Sequence, residues 1–327
     1  MMTIVVTGAS GHIGANLVRA LLDQGQSCRV MVHRDTRSLE GLPVEQTAAD
    51  LLDRESLVRA FGGADLVYHL AARISITGAD GGKVRRVNVE GTRNVVTACL
   101  QCGVRRLVHF SSIHALRQKP LHRPVDETRP RVGEEAYAYD RSKALAEAEA
   151  LAGNDQGLEV VVVNPTGVIG PGDFRPSAMG QVFLDLYRRR LQALVNGGFT
   201  WVDVRDVVAS TLRAAEIGRP GETYLLGGRW LSIRDLARVA AEVTGIRAPL
   251  FTAPMWAARL GAPPALLAAR LTGSRPLFTP EALGALRGNR RVDCGKAARE
   301  LGHTARPVRE TVEDIYNWFE SHGKLAR

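Results

Sequence analysis

Through residues 1–165, short apolar runs alternate with stretches of helical periodicity, and that alternation constrains the chain more than any other feature. Ile4–Thr7, Cys28–His33, Val44–Thr47, Leu66–Leu70, Leu107–Phe110 and Val160–Val163 read as strands. His12–Gly25, Asp53–Phe61, Lys83–Cys102 and Tyr139–Leu151 read as helices. Parallel neighbours need a crossover connection, and helices of this length between strands provide it. The near-continuous valines of Glu159–Val163 suit a strand covered on both faces. The expectation is an α/β fold with a doubly wound parallel sheet.

After Pro165 the rhythm changes. Gly170–Asp173 reads as a loop, Phe199–Val202 and Thr223–Leu226 as two more strands, and the remainder as helices punctuated by Pro254, Pro263, Pro264, Pro276 and Pro280. The expected division is a dinucleotide-binding part over 1–165, with return segments at about 199–226, and a smaller, mainly helical substrate-binding part over 166–327. The 327 residues suffice for one large unit or two modest ones. The net charge of +9 comes mostly from scattered arginines, with no nucleic-acid motif beside it, so nucleic acid is not an expected partner. Arg188–Arg190 reads as a solvated helix face. No apolar run reaches the roughly 18 residues of a membrane span. A strand-like run starts almost at the initiator Met, where a secretory leader would need a charged and then an apolar region, so a cytoplasmic location is expected. Cys99 and Cys102 have C-x-x-C spacing but no second pair, so they read as helix-packing cysteines and no metal site is expected. The apolar segment Trp256–Leu271 reads as a core helix, with a lid or a membrane-surface helix as alternatives.

The turn after the first strand is Thr7-Gly8-Ala9-Ser10-Gly11-His12-Ile13-Gly14. A glycine-rich turn between a strand and a helix lets the backbone approach a pyrophosphate, whose charge meets the free N–H groups at the helix start. Gly8, Ser10, Gly11, His12, Ile13 and Gly14 are therefore cofactor-binding candidates in a Rossmann-type fold. At the end of the second strand an NAD site would carry Asp or Glu, whereas this chain has His33-Arg34, with Asp35 later and Arg37 beyond. Arginine can pair with a 2′-phosphate, so NADP(H) is the expected cofactor, with NAD(H) the alternative. Asp50 and Leu51, after the third strand, are candidates for the adenine edge.

Tyr139 and Lys143 form a Tyr-x-x-x-Lys pair on one face of a helix start. A nearby ammonium is expected to lower the phenol pKa towards neutrality, so that Tyr139 can exchange a proton with a carbonyl oxygen. Ser112, with Ser111 as fallback, ends a strand where ligands bind in open α/β sheets.

Taken in order, the glycine turn, His69-Leu70-Ala71-Ala72, Asn88-Val89-Glu90-Gly91-Thr92, Ser111-Ser112, Tyr139-x-x-x-Lys143 and Asn164-Pro165-Thr166-Gly167-Val168-Ile169-Gly170-Pro171-Gly172 resemble the extended short-chain dehydrogenase/reductase family over essentially the whole chain. The resemblance implies that Ser112 polarises the carbonyl, Tyr139 is the acid/base, and Lys143 also binds the nicotinamide ribose. It further implies that Leu70, Ala71 and Ala72 line the cofactor, that Pro165 lies beside the nicotinamide, and that Asn88, Thr92, Asp203 and Asp206 are structural. Ile113-His114 stand where nucleotide-sugar dehydratases carry an acidic pair, and Asn164-Pro165 resembles the dihydroflavonol reductase and 3β-hydroxysteroid dehydrogenase branch. That implies an NADP(H)-dependent reductase of a ketone or aldehyde, or the reverse reaction. The alternatives are a nucleotide-sugar epimerase with tightly bound NAD and a non-enzymatic NADP-sensing scaffold. His114, Phe174, Arg175 and Trp201 are candidate pocket residues. A homodimer is implied through Lys83–Cys102 and Tyr139–Leu151.

Overall fold

Branched apolar residues fill the strands of this chain, and burial on both faces follows from them. The computed structural model describes residues 2–33, 35–261 and 279–325, so Arg34 and the part of the apolar segment from 262 onward lie outside the described residues. The strands are β1 (Ile4–Thr7), β2 (Cys28–Val32), β3 (Glu45–Ala48), β4 (Leu66–His69), β5 (Arg106–Phe110), β6 (Glu159–Pro165), β7 (Gly167–Ile169), β8 (Leu194–Val195), β9 (Gly198–Asp203), β10 (Thr223–Leu226), β11 (Arg229–Ser232) and β12 (Thr252–Ala253). The helices that position the site are α1 (His12–Asp23), α2 (Arg54–Phe61), α3 (Lys83–Arg85), α4 (Gly91–Gln101), α5 (Ala138–Leu151), α6 (Ala178–Tyr187), α7 (Val204–Ile217) and α8 (Ile233–Thr244).

Seven strands form one sheet in the order β10-β6-β5-β4-β1-β2-β3, all parallel. The chain leaves β1 in one direction through β2 and β3, then crosses back to place β4 on its other side. Ligands of open α/β sheets bind at the carboxyl ends of strands at such a switch point. Alternate residues of each strand point to opposite faces. Val6, Val30, Val108 and Val161 pack with Leu17 and Val18 of α1 and Val207 of α7. Val5, Val67, Leu107 and Val160 pack with Leu57 of α2, Val95 of α4 and Ala150 of α5. The sheet is thus wound on both sides, as the sequence pattern predicts.

A second, three-stranded sheet has β9 between β11 and β7. Its core unites Phe183 of α6, Trp201, Leu236 of α8, and Val312 and Phe319 of the helix Val308–Ser321. Trp201 is corrected here from pocket to core. It is 1% exposed, and its indole N–H donates to the Leu231 carbonyl at 3.1 Å. Phe174 meets the Trp318 ring at 5.1 Å, with the Arg19 guanidinium 4.5 Å from its own centroid. Asp203 caps α7 by accepting from the Arg205 N–H at 2.8 Å, and Asp206 accepts from the Arg306 backbone at 2.8 Å and guanidinium at 2.8 Å. These aspartates fasten the C-terminal segment to the start of α7.

The expected single helix over 83–102 is α3 and α4 joined by a π turn at Arg86–Glu90. The wide turn carries Asn88, whose side chain leaves the helix to bond elsewhere. Asn88 Oδ1 accepts from the Arg73 N–H at 2.7 Å, and its Nδ2 donates to Ser142 Oγ of α5 at 2.8 Å. Thr92 donates to the Asn88 carbonyl at 2.7 Å, which leaves its hydroxyl oxygen to accept from His69 Nε2 at 3.0 Å. His69 Nδ1 is then the bare nitrogen that accepts from the Thr7 hydroxyl at 2.8 Å. Burial holds His69 down at about 3, with the Lys143 charge acting in the same direction.

Two expectations follow for stability. Leu17 is fully buried between the sheet and α7, so Leu17→Ala should cost about 2–5 kcal/mol, read as a lower urea midpoint at unchanged slope. His69 is neutral in the fold well below its ordinary 6.5, so the unfolded chain binds the extra proton between those values. Stability should therefore fall as pH drops from about 6.5 towards 3, and His69→Gln should flatten that slope in urea titrations. The buried His109, also shifted down, adds a contribution of the same sign.

Candidate active site

The glycine turn sits at the carboxyl end of β1, beside the switch point. Gly8 adopts φ +69°, and a Cβ there would lie 2.6 Å from the Ala71 backbone nitrogen. A Cβ on Gly14 would collide with the Gly8 carbonyl, so both glycines answer to close backbone approach. Gly11 precedes α1 as its N-cap without a side-chain capping bond, leaving the N–H groups of the first turn open. An uncapped helix start next to a turn held tight by Gly8 and Gly14 fits the pyrophosphate of a dinucleotide.

The other cofactor candidates surround this turn unequally. Ser10 accepts the Ser38 hydroxyl on its carbonyl at 3.2 Å, and His12 Nε2 lies 3.0 Å from the Pro171 carbonyl. Ile13 is half-buried and packs against the sheet core. His33 is exposed immediately after β2. Asp50 is exposed after β3, whereas Leu51 is buried beneath α4, where a Cβ on Gly91 would crowd it. Leu70 and Ala71 are half-buried and Ala72 is exposed, continuing from β4 past the turn. Pro165 ends β6, buried and paired with Leu226.

Ser112, Tyr139 and Lys143 are brought together at the carboxyl end of β5 and the first turns of α5. Ser112 is 7% exposed, and its Oγ accepts from the His114 N–H at 3.2 Å. Lys143 is buried and donates from Nζ to the Phe110 carbonyl at 2.5 Å. Burial pulls its ammonium down to about 8, with Glu147 opposing. Burial pushes the Tyr139 phenol up to about 12, Asp140 acts the same way, and the Ser112 hydroxyl opposes. This corrects the expectation that Lys143 brings Tyr139 towards neutrality. Desolvation of the phenol dominates, and the Asp140 charge adds to it. Ser111 is buried and its hydroxyl has no partner among the described residues.

His114 Nδ1 lies 3.3 Å from Asp140, with its ring edge-on to Tyr139 at 6.1 Å. Asp140 and Glu147 join the site without having been singled out from the sequence, and so does the side chain of Asn164, which the sequence offered only as a mark of its branch. Glu147 hides in an Ala/Glu-rich helix whose carboxylates read as solvent-facing, and its one local signal is its place a turn after Lys143. A cleft of about 510 Å³ opens beside the loop after Ser112, lined among others by Leu121, His122, Asn196, Met255, Leu286 and Arg290, and without the three catalytic candidates. Gln118 ties that loop to the far wall, accepting from the Asn289 N–H at 3.2 Å and donating to the Ile113 carbonyl at 3.2 Å.

Comparison with known proteins agrees with this architecture. The model of the NAD dependent epimerase/dehydratase family matches residues 4–227. The chain is 36% identical over 337 residues to sterol demethylase protein B of Methylococcus capsulatus, covering 99% of this chain and 100% of that protein. It is 34% identical to a putative dihydroflavonol 4-reductase of Synechocystis, over 97% and 94% of the two chains. The crystal structure of gox2253 superposes with a TM-score of 0.86 at 32% identity, over 100% of both chains. Among the described residues, no helix is long and apolar enough to cross a membrane. The chain belongs to the NAD dependent epimerase/dehydratase family and is an extended short-chain dehydrogenase/reductase.

Proposed function

We propose that this protein is an NADP(H)-dependent oxidoreductase that reduces a ketone or aldehyde, with Ser112, Tyr139 and Lys143 as the reacting side chains. The observation that carries the reading is the convergence of these three groups beside the uncapped start of α1. A phenol held at about 12 is protonated across the neutral range and so is loaded as an acid. Tyr139 gives its proton to the carbonyl oxygen, the Ser112 hydroxyl donates a hydrogen bond to the same oxygen, and the Lys143 ammonium holds the nicotinamide ribose and steadies the tyrosinate left behind. A bound reduced nicotinamide supplies the hydride to the carbonyl carbon. The likeness to a putative dihydroflavonol 4-reductase supports reduction of this kind.

The cofactor preference rests on the end of β2. Asp35, the carboxylate nearest the place where an NAD site holds a ribose hydroxyl, is closed on Arg37 through two contacts of 2.9 and 2.6 Å. Hydrogen bonding to Arg37 holds Asp35 down at about 2, so it stays an ion-pair partner. His33, Arg34 and Arg37 then offer cationic or neutral donors to a 2′-phosphate. Gly8, Ser10, Gly11, His12, Ile13 and Gly14 hold the pyrophosphate, Asp50 and Leu51 border the adenine, and Leu70, Ala71, Ala72 and Pro165 flank the nicotinamide half. The substrate-binding part is built mainly from residues 166–327. A homodimer forms through the outward faces of α4 and α5, where Leu145 is 40% exposed.

Two measurements test this. NADPH should bind at least about tenfold tighter than NADH by calorimetry (about 1.4 kcal/mol), and Arg34→Ala should abolish the difference. Equal or tighter NADH binding would reject the preference, and NAD that co-purifies with no net NADPH turnover would favour an epimerase. Tyr139→Phe should lower ketone-dependent NADPH oxidation by about 10²–10⁴-fold with NADPH affinity within about twofold of wild type. Retained turnover would remove Tyr139 from the chemistry.

A further inference from the structure

Helix α5 carries two glutamates with different fates. Glu149 lies on the outside and pairs with Arg93, whose side chain is 59% exposed. Glu147, one turn beyond Lys143, has a side chain only 2% exposed. Burying a carboxylate is costly unless charge and hydrogen bonds compensate it. Arg131 donates to one Glu147 oxygen at 2.9 Å, but the Arg131 side chain is 40% exposed, so water screens its charge. Asn164 Nδ2 donates to the other Glu147 oxygen at 2.9 Å and also to the Ser112 carbonyl at 3.1 Å. The Asn164 Oδ1 atom is buried with no partner among the described residues. An amide that spends its nitrogen twice and leaves its oxygen idle is oriented by those two acceptors rather than by satisfaction of its own groups.

The groups facing Lys143 are few. From α5 come Tyr139 and Glu147, from β4 His69, and from β5 His109 and the accepting Phe110 carbonyl. Burial keeps both histidines neutral, which leaves Glu147 as the anion that acts on the ammonium.

We propose that Glu147 is the positioning residue of this site, fixing the Ser112 main chain through Asn164 and holding the proton on Lys143 through its charge. The proposal rests on the reading of Ser112 and Lys143 as reacting groups. Arg131 moderates the second effect, because it partly neutralises the same carboxylate. The sign is fixed by electrostatics. Removing the Glu147 charge leaves burial unopposed, so Lys143 should lose its proton at lower pH. Removing Arg131 should move Lys143 the other way.

The chain has five lysines, at 83, 119, 143, 296 and 324, so side-chain lysine signals can be followed one by one. The protein labelled with ¹³C-lysine is titrated by NMR without cofactor or substrate, and Lys143→Arg identifies the Lys143 signal. Glu147→Gln should shift the Lys143 midpoint down by about one pH unit or more, a tenfold change in its proton affinity. Glu147→Asp should restore most of it, and Arg131→Gln, at a half-exposed position that folding tolerates, should shift it up. Asn164→Ala should lower turnover about tenfold or more while leaving the Lys143 midpoint within about 0.3 unit, separating the two arms. A Lys143 midpoint unmoved in Glu147→Gln, or moved downward by both Glu147→Gln and Arg131→Gln, would overturn the proposal. If the midpoints shift as expected but no carbonyl compound oxidises NADPH, the reductase reading fails and the electrostatic link stands. If NADPH is oxidised normally by Glu147→Gln, the reductase reading stands and the positioning role fails.

Discussion

The Thr7 hydroxyl joins the sheet to α5, the helix that carries Tyr139. From it a buried chain runs through His69, Thr92 and Asn88 to Ser142, whose hydroxyl donates to the Tyr139 carbonyl at 2.7 Å. Thr7 Oγ1 also accepts from the Ala71 N–H at 3.2 Å, directly under the Gly8 turn. One network therefore sets both the floor of the candidate pyrophosphate site and the entry angle of α5. Each link has a fixed donor and acceptor, and an orphaned buried group costs about 1–3 kcal/mol. The network works only with His69 neutral, since both of its nitrogens are already assigned. The burial that depresses His69 thus also preserves the geometry above it.

The same burial shapes the proton chemistry. Desolvation disfavours the charged forms of Tyr139 and Lys143, raising Tyr139 to about 12 and lowering Lys143 to about 8. The two shifts have opposite signs on the pKa scale but one cause. Tyr139 and Lys143 stand one turn apart on α5, so both shifts favour uncharged side chains in the same stretch of helix. If Tyr139 donates a proton as proposed, the tyrosinate would form one turn from the Lys143 ammonium, whose charge would offset part of the desolvation cost.

Much of this was legible locally. β1 and the Val160–Val163 stretch of β6 are apolar runs with both faces buried, and the glycine turn is a contiguous word whose meaning is steric. What escaped depends on partners distant in sequence. Trp201 read as a candidate pocket residue, yet its N–H is satisfied by Leu231, thirty residues on. The π turn at Arg86–Glu90 is invisible in a helical pattern, because its cause is the reach of Asn88 to Arg73 and Ser142. The local sequence marks Glu147 only by its place one turn after Lys143. Its burial follows from Asn164 at the end of β6 and Arg131 in the loop before α5. The direction of the Tyr139 shift failed for a related reason, since i, i+4 spacing shows that Lys143 is near but not how strongly the phenol is desolvated.

Those long-range ties also bear on recognition. The C-terminal segment is fastened to the catalytic region on both sides of Tyr139. The Tyr137 hydroxyl donates to the Pro280 carbonyl at 3.3 Å, and a Cβ on Gly284 would strike the Tyr137 ring, so the helix Pro280–Ala285 lies directly on the residue two before the tyrosine. On the other side, Gln118 spans from the Ile113 and Leu116 carbonyls to the Asn289 backbone, and Asn289 Nδ2 donates in turn to the Arg123 carbonyl at 2.7 Å. The loop that begins at Ser112 is therefore a wall of the cleft, through Leu121 and His122, as well as the carrier of the Ser112 hydroxyl. If Ser112 polarises a carbonyl as proposed, a group that fills the cleft would bear on the loop that carries it, and binding remote from the carbonyl would be converted into orientation at it, which is how remote binding energy raises a rate rather than only an affinity.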